Sequence, residues 1–217
     1  MDCCQVAGIE NYMDSKMAEK ELSHYRKKGP DKTTLRLLDF LQKVGVRDLT
    51  LLDIGGGIGA LQHELFKSGI KEATSVDASS AYLEAARNES EYQGTQNRLM
   101  QQHGDFVELA EEVGKADIVT LDRVICCYDD MERLVGLSAE RALKYYGVVY
   151  PKDNILVKVL TWIENHYYRL KRTQFRAFTH SNSAIDGVIR EAGLERIFSQ
   201  STLYWQVHVY RRLSDSP

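Results

Sequence analysis

Short apolar segments alternate with helical segments over the middle of the chain, and this alternation constrains the fold more than any other feature. The apolar segments predict five buried strands, at 49–54, 73–77, 98–103, 116–121 and 147–150. Helices are predicted between them, at 61–66, 79–93, 106–112 and 130–146. Strands that alternate with helices in this way form right-handed βαβ units. The sequence therefore predicts a doubly wound α/β fold with a mostly parallel sheet.

The N-terminal region predicts helices outside this core. Residues 10–28 have the composition of a charged helix that ends at Gly29-Pro30. A second helix is expected to follow, with Asp31 and Thr33 as caps. Its apolar residues recur on one helix face: Leu35, Leu38, Leu41 and Val44.

The C-terminal third follows a different pattern. It first predicts an amphipathic helix from apolar residues at helical spacing: Ile155, Val159, Trp162, Ile163 and Tyr167. Ser183 and Asp186 resemble a capping box that opens another helix, which is expected to end at Gly193. Residues 194–199 and 203–211 alternate like two strands joined by a polar turn. An antiparallel hairpin is therefore expected to close the sheet.

Composition argues against several function classes. The 217 residues suit one large domain, and 28 Lys and Arg residues against 31 Asp and Glu residues give a net charge of -3. We therefore expect no nucleic-acid partner and no broad polybasic membrane footprint. No apolar run reaches the roughly 18–20 residues of a membrane span, and no signal peptide is indicated. The adjacent pairs Cys3-Cys4 and Cys126-Cys127 are not a disulfide framework, which predicts a reducing, cytoplasmic location.

A glycine-rich turn, Asp53-Ile54-Gly55-Gly56-Gly57-Ile58-Gly59-Ala60, follows the first strand. It also satisfies the G-x-G-x-x-A pattern of dinucleotide sites, so an NAD(P)-dependent oxidoreductase is one interpretation. Asp53 favours another, because a carboxylate at this turn repels a pyrophosphate. The same carboxylate attracts the ammonium group of S-adenosylmethionine, which carries a sulfonium and no phosphate. An enzyme that uses this methyl donor is therefore preferred, and a non-catalytic protein that binds it is a third interpretation.

At this point the chain resembles the class I S-adenosylmethionine-dependent methyltransferases. Their D/E-x-G-x-G-x-G loop matches Asp53, Gly55, Gly57 and Gly59. The resemblance implies a Rossmann-like sheet of seven strands with S-adenosylmethionine as cofactor. It also implies that Asp77, next to Ala78, binds the ribose and that Gly104-Asp105-Phe106 lies beside the adenine. The C-terminal part is similar to the magnesium-protoporphyrin O-methyltransferases, while Tyr25–Pro30 and Leu121–Tyr128 resemble segments of bacterial methyltransferases.

The resemblance also implies an organisation for the chain. A single methyltransferase domain would comprise N-terminal helices (1–45), a cofactor-binding core (46–150), a substrate-side insertion (151–182) and a sheet-closing helix and hairpin (183–217). In many such enzymes an N-terminal helix closes over the cofactor, and Tyr25 could hold its methionine carboxylate there. A solvated charged face is the alternative for that helix. The acceptor is expected to be a small or medium-sized molecule, with O- or N-methylation undecided, and the protein a monomer or a homodimer.

The catalytic candidates are few, because methyl transfer mainly requires alignment of the reacting atoms. Asp122 and Arg123 follow the fourth strand, where open α/β sheets bind ligands, although an internal ion pair explains them equally well. His180 is the first candidate for a general base, ahead of His166 and His208. The Cys126-Cys127 pair could bind a soft metal, but small buried side chains explain it better, and no metal site is predicted.

Overall fold

A seven-stranded sheet, in the order β3-β2-β1-β4-β5-β7-β6, runs through the protein. The structure is a computed structural model that describes residues 3–213, and the side chains of residues 6–213. Strands β1 to β5 are parallel, and β7 lies antiparallel between β5 and β6. The predicted α/β fold and its C-terminal hairpin are confirmed. The strands are β1 (Thr50–Ile54), β2 (Glu72–Asp77), β3 (Leu99–His103), β4 (Ala116–Asp122), β5 (Ala142–Pro151), β6 (Leu194–Ser201) and β7 (Trp205–Arg212).

Helices cover both faces of this sheet, because neighbouring strand residues point to opposite sides. On β1, Leu51 packs against α3 and α4, whereas Leu52 belongs to the core under α6, α7 and α9. The α-helices of the described part are α1 (Cys3–Tyr12), α2 (Ser15–Lys28), α3 (Lys32–Val44), α4 (Ala60–Lys67), α5 (Ser80–Tyr92), α6 (Phe106–Leu109), α7 (Met131–Arg141), α8 (Ile155–Leu170) and α9 (Asn182–Glu191). None of the helices within residues 3–213 is long and apolar enough to cross a membrane.

The N-terminal region differs from its prediction. The expected helix at 10–28 is divided at Met13-Asp14, because the Asp14 side chain accepts a hydrogen bond from the Met17 amide and starts α2 there. In α3, Leu35 faces solvent rather than the core, and Leu37 is fully buried in its place. Asp31 makes no side-chain cap to α3.

Strand β5 begins five residues earlier than predicted. The sequence predicts residues 142–146 as part of a helix, but in the structure Ala142 already pairs with Ala116 of β4. Tyr146 is fully buried and bonds to the Ser138 hydroxyl. Sheet pairing and burial of aromatic rings therefore override the helical continuation of α7.

Two features of the C-terminal third also differ. Ser181, not Ser183, caps α9, because its hydroxyl accepts from the Ala184 amide. The predicted amphipathic helix exists as α8, but its apolar face points to solvent. Only Val157 and Thr161 of α8 are buried among the described side chains.

We expect Leu37→Ala to lower the free energy of unfolding by about 2–5 kcal/mol, because a buried leucine packed on the backbone of Gly147 leaves a cavity when truncated. Leu35→Ala, on the exposed side of the same helix, is the matched control and should change it by less than about 0.5 kcal/mol. Urea unfolding measures both. Equal losses would show that the core side of α3 is wrongly assigned.

Candidate active site

A cavity of about 280 Å³ opens at the carboxyl ends of β1, β2 and β4. The sheet order reverses between β1 and β4, and ligands of open α/β sheets bind at such a switch point. Every motif singled out at a strand end contributes to its wall. Its wall includes Ile9, Met13, Glu21, Thr34, Asp53, Gly55, Gly56, Gly57, Asp77, Ala78, Tyr82, Gly104, Asp105, Phe106, Asp122, Arg123, Val124, Cys127 and Tyr128.

The glycine turn folds tightly over buried polar groups. Gly55, Gly57 and Gly59 all have positive φ, which L side chains rarely adopt. At Gly56 the constraint is space, because a Cβ there would lie 2.3 Å from Nε2 of Gln62 and 2.8 Å from Oδ2 of Asp53. The turn therefore needs glycine for its own packing as well as for a ligand.

Asp53 lies fully buried beneath this turn. Its Oδ1 accepts from the Thr120 hydroxyl at 2.7 Å, and its Oδ2 accepts from Nε2 of Gln62 at 2.9 Å. Burial, together with the charges of Asp122 and Asp77, raises the pKa of Asp53 to about 7. The two hydrogen bonds act in the opposite direction. A positive ligand in the cavity would offset this cost by favouring the ionised carboxylate.

Asp77 and Ala78 close the next part of the wall, at the end of β2. The Asp77 carboxylate accepts from the amide of Gly57 at 2.9 Å and from that of Ser79 at 2.8 Å. Burial raises its pKa, although both amides favour the charged form. The carboxylate is thereby held in one orientation at the cavity wall.

Gly104, Asp105 and Phe106 follow β3 and reach the same cavity. Asp105 caps α6 by accepting from the Val107 amide. It also accepts from the Tyr128 hydroxyl, which lies 2.9 Å from each carboxylate oxygen. This contact ties the end of β3 to the segment after β4.

Asp122 and Arg123 form an ion pair at the end of β4. Nε of Arg123 lies 3.4 Å from Oδ1 of Asp122, and its Nη1 lies 2.6 Å from a carboxylate oxygen of Asp31. Asp122 also accepts from the Thr34 hydroxyl, and burial raises its pKa. Arg123 has a φ of 65°, a strained conformation for a residue with a Cβ. The internal ion pair exists, and both side chains still line the cavity.

A second cavity, of about 400 Å³, adjoins the first and shares Met13, Arg123 and Cys127 with it. Aromatic rings dominate its wall, and Tyr12 stacks on Phe175 with centroids 4.9 Å apart. The wall of this cavity also contains one acidic side chain, Glu164 of α8. The remaining lining residues are Cys126, Tyr168, Ala177, Phe178, Tyr204 and Trp205.

Several predicted residues lie elsewhere. The hydroxyl of Tyr25 donates to Glu64 of α4, and Tyr25 is absent from both cavity walls, so its expected contact with a methionine carboxylate stays a prediction. Nε2 of His180 lies 2.7 Å from the carbonyl oxygen of Tyr128, and its ring lines neither cavity. This arrangement favours a structural role over a general base. His166 is exposed beside Trp162, and His208 is buried against Tyr150.

The N-terminal helices supply residues that sequence reasoning missed. Ile9, Met13, Glu21 and Thr34 line the first cavity although they lie far from its motifs in sequence. Tyr82 joins them as a hydrogen-bond partner of Glu21. No local pattern distinguishes these residues from an ordinary helix surface, so only the tertiary structure reveals them.

The cysteines show no metal-binding arrangement in the part of the chain that is described. Sγ of Cys126 lies 4.0 Å from Sγ of Cys127, and both are free thiols. Residues 6–213 contain no group of three or more His, Cys, Asp and Glu side chains suited to a metal ion. The side chains of Cys3 and Cys4 lie outside the described residues.

The sheet order and the cavity at its switch point are those of the class I methyltransferase fold. Residues 52–150 match the family described as a methyltransferase domain. The chain is also 34% identical over 71 residues to a ribosomal protein L11 methyltransferase of Pasteurella multocida, a match that covers 33% of this chain and 24% of the relative. The chain therefore spans about a quarter of that curated relative's length.

Solved structures show the same fold. Magnesium protoporphyrin IX methyltransferase from Synechocystis PCC 6803, crystallised with bound S-adenosylhomocysteine, has a TM-score of 0.74 at 18% identity and covers 94% of this chain and 98% of its own. An O-methyltransferase family protein from Burkholderia thailandensis has a TM-score of 0.66 at 19% identity, with coverages of 84% and 57%. These likenesses show that the chain has the class I methyltransferase fold.

We expect Asp53→Asn to gain stability relative to the native protein as the pH rises. The folded-state pKa of about 7 exceeds the ordinary 3.8, so the native protein loses stability between these values, where the unfolded carboxyl is already ionised. Between pH 5 and pH 7 the difference in free energy of unfolding should grow by about 2–3 kcal/mol. Urea unfolding at both pH values measures it, with the exposed Asp39→Asn as control. Parallel pH profiles for Asp53→Asn and the native protein would contradict this assignment.

Proposed function

We propose that the protein transfers a methyl group from S-adenosylmethionine to a small or medium-sized acceptor. The charge of the first cavity carries the proposal. Five acidic side chains line it, Glu21, Asp53, Asp77, Asp105 and Asp122, against a single basic one in the described residues, Arg123. Such a wall favours a ligand with positive groups and repels a pyrophosphate.

Each strand end has a role in this proposal. Asp53 and the Gly55–Gly59 turn face the ammonium end of the cofactor. Asp77, with Ala78 beside it, accepts hydrogen bonds from the ribose hydroxyls. Gly104 leaves room for the adenine, and Asp105-Phe106 contacts it. The buried position and fixed orientation of these side chains support the assignment.

The cofactor supplies a methyl group on a sulfonium, whose sulfur keeps the bonding electron pair when the methyl leaves. The residues of the chain align the acceptor with that methyl and exclude water. Arg123 lines both cavities, and Asp122 pairs with it from the wall of the first, so the two are proposed as catalytic residues that position the acceptor. His180 lies outside both cavities, so a structural role is proposed for it in place of a base.

The second cavity is proposed as the acceptor site. Its wall of stacked and edge-on rings, with Tyr12, Tyr168 and Phe175 in mutual contact, suits a planar apolar molecule. Glu164 is the acid that could contact a polar group on it, and burial raises the pKa of this carboxyl. The residues of the 151–182 insertion on this wall support its proposed substrate-side role. Both O- and N-acceptors remain compatible with this wall.

The setting of the enzyme is proposed on the same grounds. The free thiols of Cys126 and Cys127 suit a reducing cytoplasm. The net charge of -3 supports a function without a nucleic-acid partner. We expect a monomer or a homodimer.

We expect Asp77→Ala to weaken the binding of S-adenosylhomocysteine at least about tenfold, because two hydrogen bonds to a charged acceptor are worth about 1.5–3 kcal/mol each. Isothermal titration measures this, and Asp39→Asn should leave the affinity unchanged. The native protein should bind S-adenosylhomocysteine at micromolar levels and NADPH not at all. NADPH binding at the turn would favour the oxidoreductase instead.

Methyl transfer itself is tested with labelled S-adenosylmethionine and a panel of planar O- and N-acceptors. We expect product with the native protein and none with Asp77→Ala. Cofactor binding that survives Asp122→Ala and Arg123→Ala, together with no transfer to any acceptor, would favour a non-catalytic binding protein.

We also expect the affinity for S-adenosylhomocysteine to fall as the pH is lowered through about 7. Its ammonium group is attracted to the ionised Asp53, whose pKa is raised to about 7 in the folded protein. Protonation removes that attraction, so binding is strongest above this pH. Titrations from pH 6 to pH 8 measure the slope, which Asp53→Asn should abolish. An identical slope in this variant would exclude Asp53 as its source.

A further inference from the structure

The outward face of α8 is a large apolar surface with no partner among the described residues. Eight large side chains on this one helix are exposed, including Ile155 at 81%, Trp162 at 63% and Leu170 at 80%. At 3.6 residues per turn they occupy an arc of about 160°, which also contains the exposed His166. We call this surface the α8 face; its members are Ile155, Leu156, Val159, Leu160, Trp162, Ile163, Tyr167 and Leu170.

Basic side chains border this arc on both sides. Lys158 and Arg169 lie along one edge of the α8 face, and Lys171 lies at the other, all of them exposed. Residues 152–176 contain six Lys or Arg residues and two acidic ones, although the whole chain has a net charge of -3. Asp153 accepts from the Asn182 amide. Glu164, which lines the second cavity, is the one acid beside the arc and lies next to Lys171 at its edge. The surface is therefore apolar at its centre and positive around it.

A second copy of the chain fits this surface poorly. A two-fold contact would bring the lysines and arginines of one α8 face against those of the other, with Glu164 as the one acid beside them. The face is also small, because 16 residues of helix extend only about 24 Å and stable dimers bury roughly 800 Å² on each partner. Charge and size both argue for a negative, extended partner.

We propose that the α8 face docks on an anionic lipid surface. Helices that lie in the membrane interface combine an apolar arc containing Trp and Leu with basic residues beside it. Here the apolar arc would enter the acyl boundary while the basic side chains contact lipid phosphates. Val157 and Thr161 anchor the opposite side of α8 in the protein, so the helix is already formed before docking. The proposal does not depend on methyl transfer.

Docking would place the second cavity beside the lipid. Glu164 and Tyr168 belong to α8 and line this cavity, directly behind the α8 face. An apolar molecule dissolved in the bilayer would therefore have a short route to the aromatic wall.

Vesicle flotation of the full-length protein tests the proposal. We expect it to float with vesicles of phosphatidylcholine and phosphatidylserine mixed at about three to one, and to bind vesicles of phosphatidylcholine alone much more weakly. Trp162→Ser with Ile163→Ser should reduce binding more than about tenfold, because two apolar side chains no longer enter the interface. The matched control is Met100→Ser with Leu143→Ser, two exposed apolar residues away from α8, and should bind like the native protein.

Charge variants keep the test decisive if the apolar substitutions reduce folding. Lys158→Gln, Arg169→Gln and Lys171→Gln should each weaken binding to the anionic vesicles about fivefold, and high salt should act in the same direction. A native protein that fails to float with anionic vesicles would overturn the proposal. A second result would also overturn it: the native protein does not bind lipid but forms a dimer in sedimentation, and the double serine variant abolishes that dimer.

Discussion

The buried carboxylate of Asp53 organises the active-site end of this protein. Its two oxygens receive hydrogen bonds from β4 and α4, and Gln62 also donates to Ser75 of β2. One polar cluster thus joins β1, its neighbouring strands and the helix that follows the glycine turn. Burial raises the pKa of Asp53 to about 7, because the neutral donors stabilise its charge only in part. The cluster lacks a positive charge, which a positive ligand would supply. The packing of the turn is in this way connected to the choice of cofactor.

The electrostatics of the first cavity extend the same principle. Burial raises the pKa values of Asp53, Asp77 and Asp122, and the charges of Asp77 and Asp122 make Asp53 harder still to ionise. Arg123 partly offsets this repulsion at the boundary with the second cavity. It is held there by Asp31 and Asp122 in a strained left-handed conformation. Strain of this kind persists only where the surrounding structure imposes it, and it often marks a functional position.

Sequence reasoning succeeded where a site residue belongs to a local pattern. Gly57 and Asp77 sit at the ends of predicted parallel strands, so topology alone brings them to one edge of the sheet, and the Gly57 amide bonds to the Asp77 carboxylate. Sequence reasoning did not predict the position of a side chain whose contact lies far away in the sequence. Tyr25 binds Glu64, 39 residues away, and the His180 ring meets the Tyr128 carbonyl 52 residues away. Local patterns carry no information about such contacts. The roles of the matched residues toward a ligand stay predictions.

The amphipathic helix α8 shows a different limit of sequence patterns. Spacing identifies an apolar face but does not say what that face contacts, and the usual inference is that it packs on the core. Here α3 and α4 pack on one face of the sheet and α6, α7 and α9 on the other, and no residue of α8 belongs to either core cluster. The helix contacts the protein through Val157 and Thr161 instead and forms a wall of the aromatic cavity. A hydrophobic surface of this size in water is costly unless a partner covers it, and its basic border favours a partner with negative charge.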